Sequence, residues 1–347
     1  MALTAFRRVR SALQINMHPP DVDHVVFTLE HQLRQWHGQV ERVLLTVDTR
    51  PSRAGRYRAR DYDDRLRRLM DHIGRLQSRY SELQVEEVDY SEDAREAVRR
   101  RFFSLERECP EKAFDGGPFY AYFYGLLNAN ADYVLHMDSD MLFGGGSQTW
   151  LAEAIAVMEA NPSALFAGPL PGPPRPDGEL SEGHGSFPGL QNVRLPVRLD
   201  YPFAAFKFVS VSTRVFLMSM ATFDRRLGSL SLVRPNAKRR IRARLYRQLP
   251  LSMPAEEVLT AAMIRRGLCR IDFLGGGTGM FSLHPPHRSP EFYRRLPELI
   301  ERIEGGDIPD GQLGEYDING SMIDWTSALK EKSPLRRFMR AVNHLTG

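Results

Sequence analysis

Cysteine is nearly absent: Cys109 and Cys269 are the only two in 347 residues, they stand far apart, and neither sits in a metal-type spacing. That excludes a disulfide scaffold, and two reduced thiols fit a reducing compartment. Long hydrophobic runs are missing too. The best candidate, 206–223, is broken by Lys207, Arg214 and several Ser and Thr, so it falls short of the ~20 apolar residues of a membrane span. Arg7, Arg8 and Arg10 are not followed by an apolar stretch, which argues against a secretory signal and makes the cytoplasm the expected address. Nor is there an excess of one charge. A net +4 from 47 basic and 43 acidic residues makes no case for nucleic acid as a partner. With 42% hydrophobic and 26% charged residues, what remains is an ordinary globular composition, long enough to bury one large core.

Apolar spacing alternates between strand and helix from the start. A strand over 11–17 runs into the turn His18-Pro19-Pro20-Asp21, and Val25, Val26, Leu29 and Leu33 space a helix over 22–36. Strands over 40–47 and 83–88 flank an Arg- and Asp-rich insertion, 49–79, with one helix over 63–80; a polar helix over 92–103 follows. After Gly116-Gly117-Pro118 an aromatic helix is expected over 119–130. A strand then runs from Tyr133 through Met137, closed by Gly144-Gly145-Gly146, before an amphipathic helix over 149–160. Pro and Gly dominate 168–188, which reads as a lid or binding loop. Beyond it the pattern predicts a strand over 208–218, a helix over 254–267, strands over 271–274 and 280–284, and a C-terminal helical extension of lower apolar density. This order predicts an α/β fold with a mostly parallel central sheet flanked by helices.

The chemistry centres on Asp138-Ser139-Asp140. Alternate residues of a strand share a face, so the two carboxylates point the same way. An apolar run places them at the carboxyl end of a buried strand, where open α/β sheets bind ligands. Two such carboxylates repel unless a cation or proton joins them, and Mg²⁺ or Mn²⁺ suits oxygen ligands of this kind, as it does the phosphate oxygens of a nucleotide. A solvated acidic turn is the bland alternative for so short a pattern.

The stretch from Ala131 to Asp140, Ala-Asp-Tyr-Val-Leu-His-Met-Asp-Ser-Asp, resembles the segment leading into the D-x-D motif of GT-A-fold glycosyltransferases, especially family 2-like ones. Ile15-Asn16-Met17-His18 is similar to the first donor-binding loop, without its usual Pro-x-Tyr-Asn pattern. Val47-Asp48 stands where that family places a nucleotide-contacting acid. Glu256-Glu257, ahead of Arg265-Arg266-Gly267, resembles the family's E-D step before a helix. Together these cover about residues 10–285.

The resemblance implies a GT-A-like (Rossmann-like) domain over 1–285, with a donor half of about 10–145 and an acceptor half of about 146–285, and an extension over 286–347. It implies a nucleoside-diphosphate sugar as donor, with His18, Asp48 and Asp138 on the nucleotide side. Mn²⁺ or Mg²⁺ would be held by Asp140, Asp138 and, as a third ligand, His284. Glu256 would take the proton of an acceptor hydroxyl on a glycan, lipid-linked or small-molecule substrate, with Glu257 as the neighbouring candidate; an inverting path follows from the same source.

Each role has a structural rival. Asp48 would cap a turn as a strand-end Asp. Acids in a first helical turn are favoured by the helix dipole, and Pro254 marks a helix start just before Glu256. A lone histidine such as His284 is commonly structural, and His136 inside the strand reads as a satisfied core residue. The glycines at 275–277 suit a plain turn as well as close approach to a sugar. The segment 234–247 holds seven basic residues and no acidic one, which suits an anionic membrane surface, an anionic acceptor or a solvated face. Two other functions use related parts. A sugar-nucleotide nucleotidyltransferase would carry a Gly-rich basic loop near the N-terminus, and His18-Pro19-Pro20-Asp21 is unlike one. A phosphatase of the haloacid dehalogenase type places D-x-D near the chain start. A binding scaffold without catalysis is the non-enzymatic alternative.

Overall fold

A computed structural model describes residues 9–51, 61–180, 196–212, 214–245 and 248–331. Parts of four segments singled out from the sequence lie outside them: 52–60 of the charged insertion, 181–188 of the Pro/Gly stretch, 246–247 of the basic segment and 332–347 of the extension.

The chain begins with β1 (Ser11–Met17), α1 (Val22–Trp36), β2 (Arg42–Val47), α2 (Tyr62–Gln77) and β3 (Leu83–Glu87). Next come α3 (Glu92–Phe102), α4 (Tyr120–Asn128), β4 (Tyr133–Asp138), the short β5 (Leu142–Gly144) and α5 (Trp150–Ala160). The middle of the chain forms β6 (Ala164–Pro171), β7 (Val197–Arg198), β8 (Ala205–Phe208), β9 (Val215–Ser219), α6 (Met220–Arg226) and α7 (Ala237–Leu245). Then follow α8 (Ala255–Arg266), β10 (Cys269–Phe273), β11 (Phe281–Leu283), α9 (Pro290–Glu304) and α10 (Thr326–Glu331).

The strands form one α/β sheet in the order β3-β2-β1-β4-β9-β6-β10-β8-β7, with β11 joining β6 and β5 at its side. β3, β2, β1 and β4 run parallel, linked by helical crossovers, and β10 is parallel to β6. β9 is antiparallel between β4 and β6. Strands covered on both faces read as continuous apolar runs, which is why β1 and β4 are so hydrophobic. On one face Leu13, Ile15, Leu45 and Leu135 meet Val25, Leu29, Leu33 and Trp36 of α1. On the other, Ala12, Leu44 and Val134 meet Tyr120 and Phe123 of α4 and Val258 and Leu259 of α8.

Three expectations are corrected. The region 168–188 does not open as a loop, because Gly168 to Pro171 completes β6. There the amides of Leu170 and Gly172 donate to the carbonyls of Met280 and Ser282, and the two prolines alternate with them, so no ladder donor is lost on that side. The expected strand over 208–218 divides into β8, which pairs with β10, and β9, which lies between β4 and β6. Gly144 does not close β4. It ends a separate strand whose partner Phe281 fills the space a Cβ at Gly144 would need. The helical extension after 286 packs into the domain: Phe292, Leu296, Ile300, Ile318 and Trp325 share a core with Leu142, Leu170, Phe206 and Phe208.

One polar tie fastens α9 to the front of the sheet. His31 accepts the Phe143 N–H at Nε2 (2.9 Å), so its proton sits on Nδ1 and is donated to Glu304 (2.6 Å), which also pairs with Arg34. Burial works against the charged Glu304, but His31 and Arg34 outweigh it and bring the carboxyl down to about 2. A carboxyl depressed in the folded state adds stability above its unfolded value of about 4.5, and that contribution disappears as pH falls toward 2. Glu304→Gln is therefore expected to cost about 1 kcal/mol at pH 7, a value reduced by solvent screening, and close to nothing near pH 2. Denaturant titrations of both proteins at the two pH values check it.

Candidate active site

β4 delivers Asp138 to the carboxyl end of the sheet, and the chain then turns at once. α1 clamps that turn through three polar residues spaced four apart. His24 Nε2 lies 3.0 Å from Ser139 Oγ, Thr28 Oγ1 donates to the Ser139 carbonyl (2.6 Å), and Gln32 Nε2 donates to the carbonyls of Asp138 and Met141 (3.0 Å each). His24 is buried, and desolvation with Arg288 nearby brings it down to about 4, so it is neutral at pH 7. The positions of both acids thus follow from a rigid helix face, not from the turn alone. The i, i+4, i+8 polar stripe running beside Val25, Leu29 and Leu33 on the buried face of α1 was the available signal for this clamp.

The two carboxylates differ in surroundings. Asp138 has 41% of its side chain exposed, with His136 Nε2 at 3.9 Å and Arg214 Nη1 at 4.0 Å. Loss of solvation, and then the Asp140 charge, push its carboxyl upward. Asp140 is 2% exposed. Burial opposes its charge, but the Arg288 guanidinium, with His284 and His24, holds it well below the usual carboxylate range. Arg288 bridges Asp140 Oδ2 (2.5 Å) and Asp21 Oδ1 (2.8 Å). The other oxygen, Asp140 Oδ1, is buried without a hydrogen-bond partner, which is costly unless something else occupies it.

His284 stands beside this pair, its Nε2 3.9 Å from Asp140 Oδ2 and its Nδ1 2.7 Å from Asp317. A carboxylate behind an imidazole fixes the ring and leaves the far nitrogen to a ligand. The donor set of two carboxylates and one imidazole, with one orphaned buried oxygen, fits a hard divalent cation. It is not preassembled. Among the described residues no three His, Cys, Asp or Glu side chains converge as a metal cluster, and Arg288 holds the oxygen nearest His284.

The remaining candidates fall on either side of Asp138. His18 lies at the end of β1, edge-on to Tyr62 (5.8 Å); burial first of all lowers its pKa. Asp48, at the end of β2, is buried and engaged at both oxygens. Oδ2 meets Lys112 Nζ (2.6 Å), while Oδ1 accepts from Tyr90 Oη (3.0 Å) and the Arg50 amide (3.1 Å). Three of a carboxylate's roughly four acceptor positions are thus filled. Glu256 and Glu257 open α8 but diverge. Glu257 pairs with Arg239 of α7 (3.3 Å). Glu256 lies close enough to Tyr122 and Arg214 to act electrostatically on both, as Asp138 does. Arg288, Asp21, Arg214 and Asp317 had no sequence signal, because each reaches the site from a segment remote in the chain.

No family model matches this sequence, and no curated protein matches it. Among solved structures the chain is similar to GalNAc-T7, determined with UDP, GalNAc and Mn²⁺, at 12% identity, TM-score 0.45, over 98% of this chain and 55% of that one. It is also similar to the mannosyltransferase PcManGT of Pyrobaculum calidifontis, in complex with GDP-Man and Mn²⁺ (11%, TM-score 0.34, 98% and 75%), and to residues 1–349 of S. aureus TarS (12%, TM-score 0.36, 97% and 79%). The chain thus spans about half the length of the GalNAc-T7 structure. Likeness this distant is similarity of chain path and does not carry chemistry from one protein to another.

Proposed function

We propose that the protein is a metal-dependent glycosyltransferase that moves a sugar, of hexosyl type, from a nucleoside-diphosphate sugar to a hydroxyl acceptor. The observation that carries the reading is the asymmetric carboxylate pair at the end of β4, one acid partly exposed and the other buried with an oxygen left unsatisfied. Asp138, Asp140 and His284 would hold Mn²⁺ or Mg²⁺, a role in which the cation would take the place of the Arg288 contact at Asp140. Such a cation would neutralise charge on the departing nucleoside diphosphate. His18 and Asp48 would face the nucleotide, Asp48 through the acceptor position left beside Lys112 and Tyr90. Glu256 would take the acceptor proton, which corresponds to an inverting displacement. Thermal scans with UDP and GDP, with and without Mn²⁺, test the reading. Stabilisation by a nucleoside diphosphate only when metal is present is expected, since ligand binding raises apparent stability; stabilisation by neither nucleotide would refute it.

Among the described residues no helix is long and apolar enough to cross a membrane. α7 is built differently: Ala243 is buried against Phe114 and Met253, while Lys238, Arg240, Arg242, Arg244 and a 62%-exposed Ile241 face outward. This basic face, next to Glu257, would rest on an anionic lipid surface and bring α8 toward a lipid-linked acceptor. Flotation with vesicles of 30% phosphatidylserine is expected to carry the protein at low salt, and the quadruple change of those four basic residues to Gln to abolish it.

A further inference from the structure

β10 carries a second charged pair that the proposed chemistry does not use. Arg270 Nη2 and Asp272 Oδ2 meet at 2.7 Å, and each side chain is only 6% exposed. Neither is satisfied. Arg270 Nε and Nη1 and Asp272 Oδ1 are buried without hydrogen-bond partners. A buried ion pair is at best near neutral for stability, and each unmet polar atom makes it costlier, so these three atoms are a poor structural staple.

The sheet register shows where the pair faces. His136 is opposite Phe216, Met218 is opposite Phe166, and Phe166 is opposite Arg270. Residues two apart on a strand share a face, so Asp138, His136, Phe216, Phe166, Arg270 and Asp272 all lie on the same side of the sheet. Two intervening strands, β9 and β6, put the pair about 14 Å from β4 at the usual strand spacing. Gly168 of β6 lies opposite Asp272, and a Cβ there would fall 2.6 Å from Asp272 Oδ1. The unpartnered oxygen therefore leans across β6, in the direction of Asp138. Tyr316 connects the two ends electrostatically, since Arg214, Asp140, Asp138 and Arg270 all act on its phenol.

We infer that Arg270 and Asp272 form the polar floor that reads adjacent hydroxyls of a sugar ring. This inference rests on the glycosyltransferase reading and adds to it the residues that recognise the carbohydrate. One unpartnered carboxylate oxygen accepts from a hydroxyl, and the two unpartnered guanidinium N–H groups donate to its neighbour. Because the pair is neutral in sum, it suits an uncharged polyol and not an anion or a cation. Arg270 is also held over the Phe208 ring, 4.6 Å from its centroid, which fixes the direction of its donors. The ring read in this way belongs either to the donor sugar or to a saccharide acceptor.

Calorimetry with Mn²⁺ distinguishes these sources, using wild type, Asp272→Asn and Arg270→Met. The first arm compares UDP and GDP with UDP-glucose, UDP-galactose, UDP-N-acetylglucosamine and GDP-mannose. The second adds glucose, galactose, mannose, lactose and maltose to the protein saturated with the better nucleoside diphosphate. Nucleoside diphosphate affinity is expected to stay within about twofold of wild type in both variants. The sugar-dependent part is expected to fall about tenfold to a hundredfold, the range for hydrogen bonds to a charged group. Loss in the first arm assigns the pair to the donor sugar, and loss in the second assigns it to the acceptor. Unchanged sugar dependence in both arms overturns the inference, as does a wild type that binds nucleoside diphosphate but shows no sugar-dependent affinity at all. If wild type binds neither UDP nor GDP, the glycosyltransferase reading itself fails and takes this inference with it.

Discussion

Asp140→Asn is expected to lower glycosyl transfer by at least about a thousandfold, the scale of removing several kcal/mol of electrostatic stabilisation from a reacting diphosphate. The substitution keeps the volume of a side chain that is 2% exposed and removes only its charge. Its thermal midpoint should stay within a few degrees of wild type, because Arg288 keeps Asp21 as a partner. Metal-dependent stabilisation by UDP or GDP should disappear with the activity. Arg288→Met separates this role from simple packing. It leaves a buried carboxylate without its guanidinium, an arrangement that is strongly destabilising, so this variant should melt several degrees lower in EDTA. Mn²⁺ alone should restore much of that loss, since a ligand bound only by the folded state raises stability. An Asp140→Asn protein with near-normal turnover, or an Arg288→Met protein indifferent to Mn²⁺, would remove the cation from the account.

Much of the N-terminal half was legible because its signals are local. The apolar run of β1 and the Pro19-Pro20 turn bound the first strand, and the i, i+3, i+4 spacing of α1 gave its limits, Ser11–Met17 and Val22–Trp36, as observed. Asp138 and Asp140 stood out because an apolar strand precedes them. The C-terminal half was harder, for reasons of pairing and not of propensity. Gly168, Pro169 and Pro171 read as breakers, yet the prolines leave the β11 side of β6 intact, because the Leu170 and Gly172 amides are the ones that donate there. The apolar residues over 205–219 gave no sign that β8 and β9 occupy different places in the sheet. The ion pair of Arg288 with Asp140 joins residues 148 positions apart, and the strand expected over 271–274 gave no sign that Asp272 pairs with Arg270. A single sequence shows which residues are acidic; only the fold shows which of them are left unsatisfied.

The two glutamates that open α8 make the division sharper, because sequence treats them as near equivalents and the fold does not. Both gain from the helix dipole, and each is expected to contribute only about 0.5 kcal/mol to stability in that way. Glu257 spends its charge on Arg239, so Glu257→Gln should leave kcat within about threefold of wild type. Glu256 instead acts electrostatically on Arg214 and Tyr122, the residues that Asp138 also acts on. Glu256→Gln is expected to reduce kcat about a hundredfold to ten-thousandfold, the usual range for loss of a general base, with donor affinity unchanged. The helix itself should be intact, since glutamine is a good helix former and Ala255 and Val258 still anchor the turn in the core. Single-turnover transfer measured beside donor binding separates the two effects. Equal losses in both variants would point to the basic helix α7 and its contact with Glu257, and would move the base away from α8.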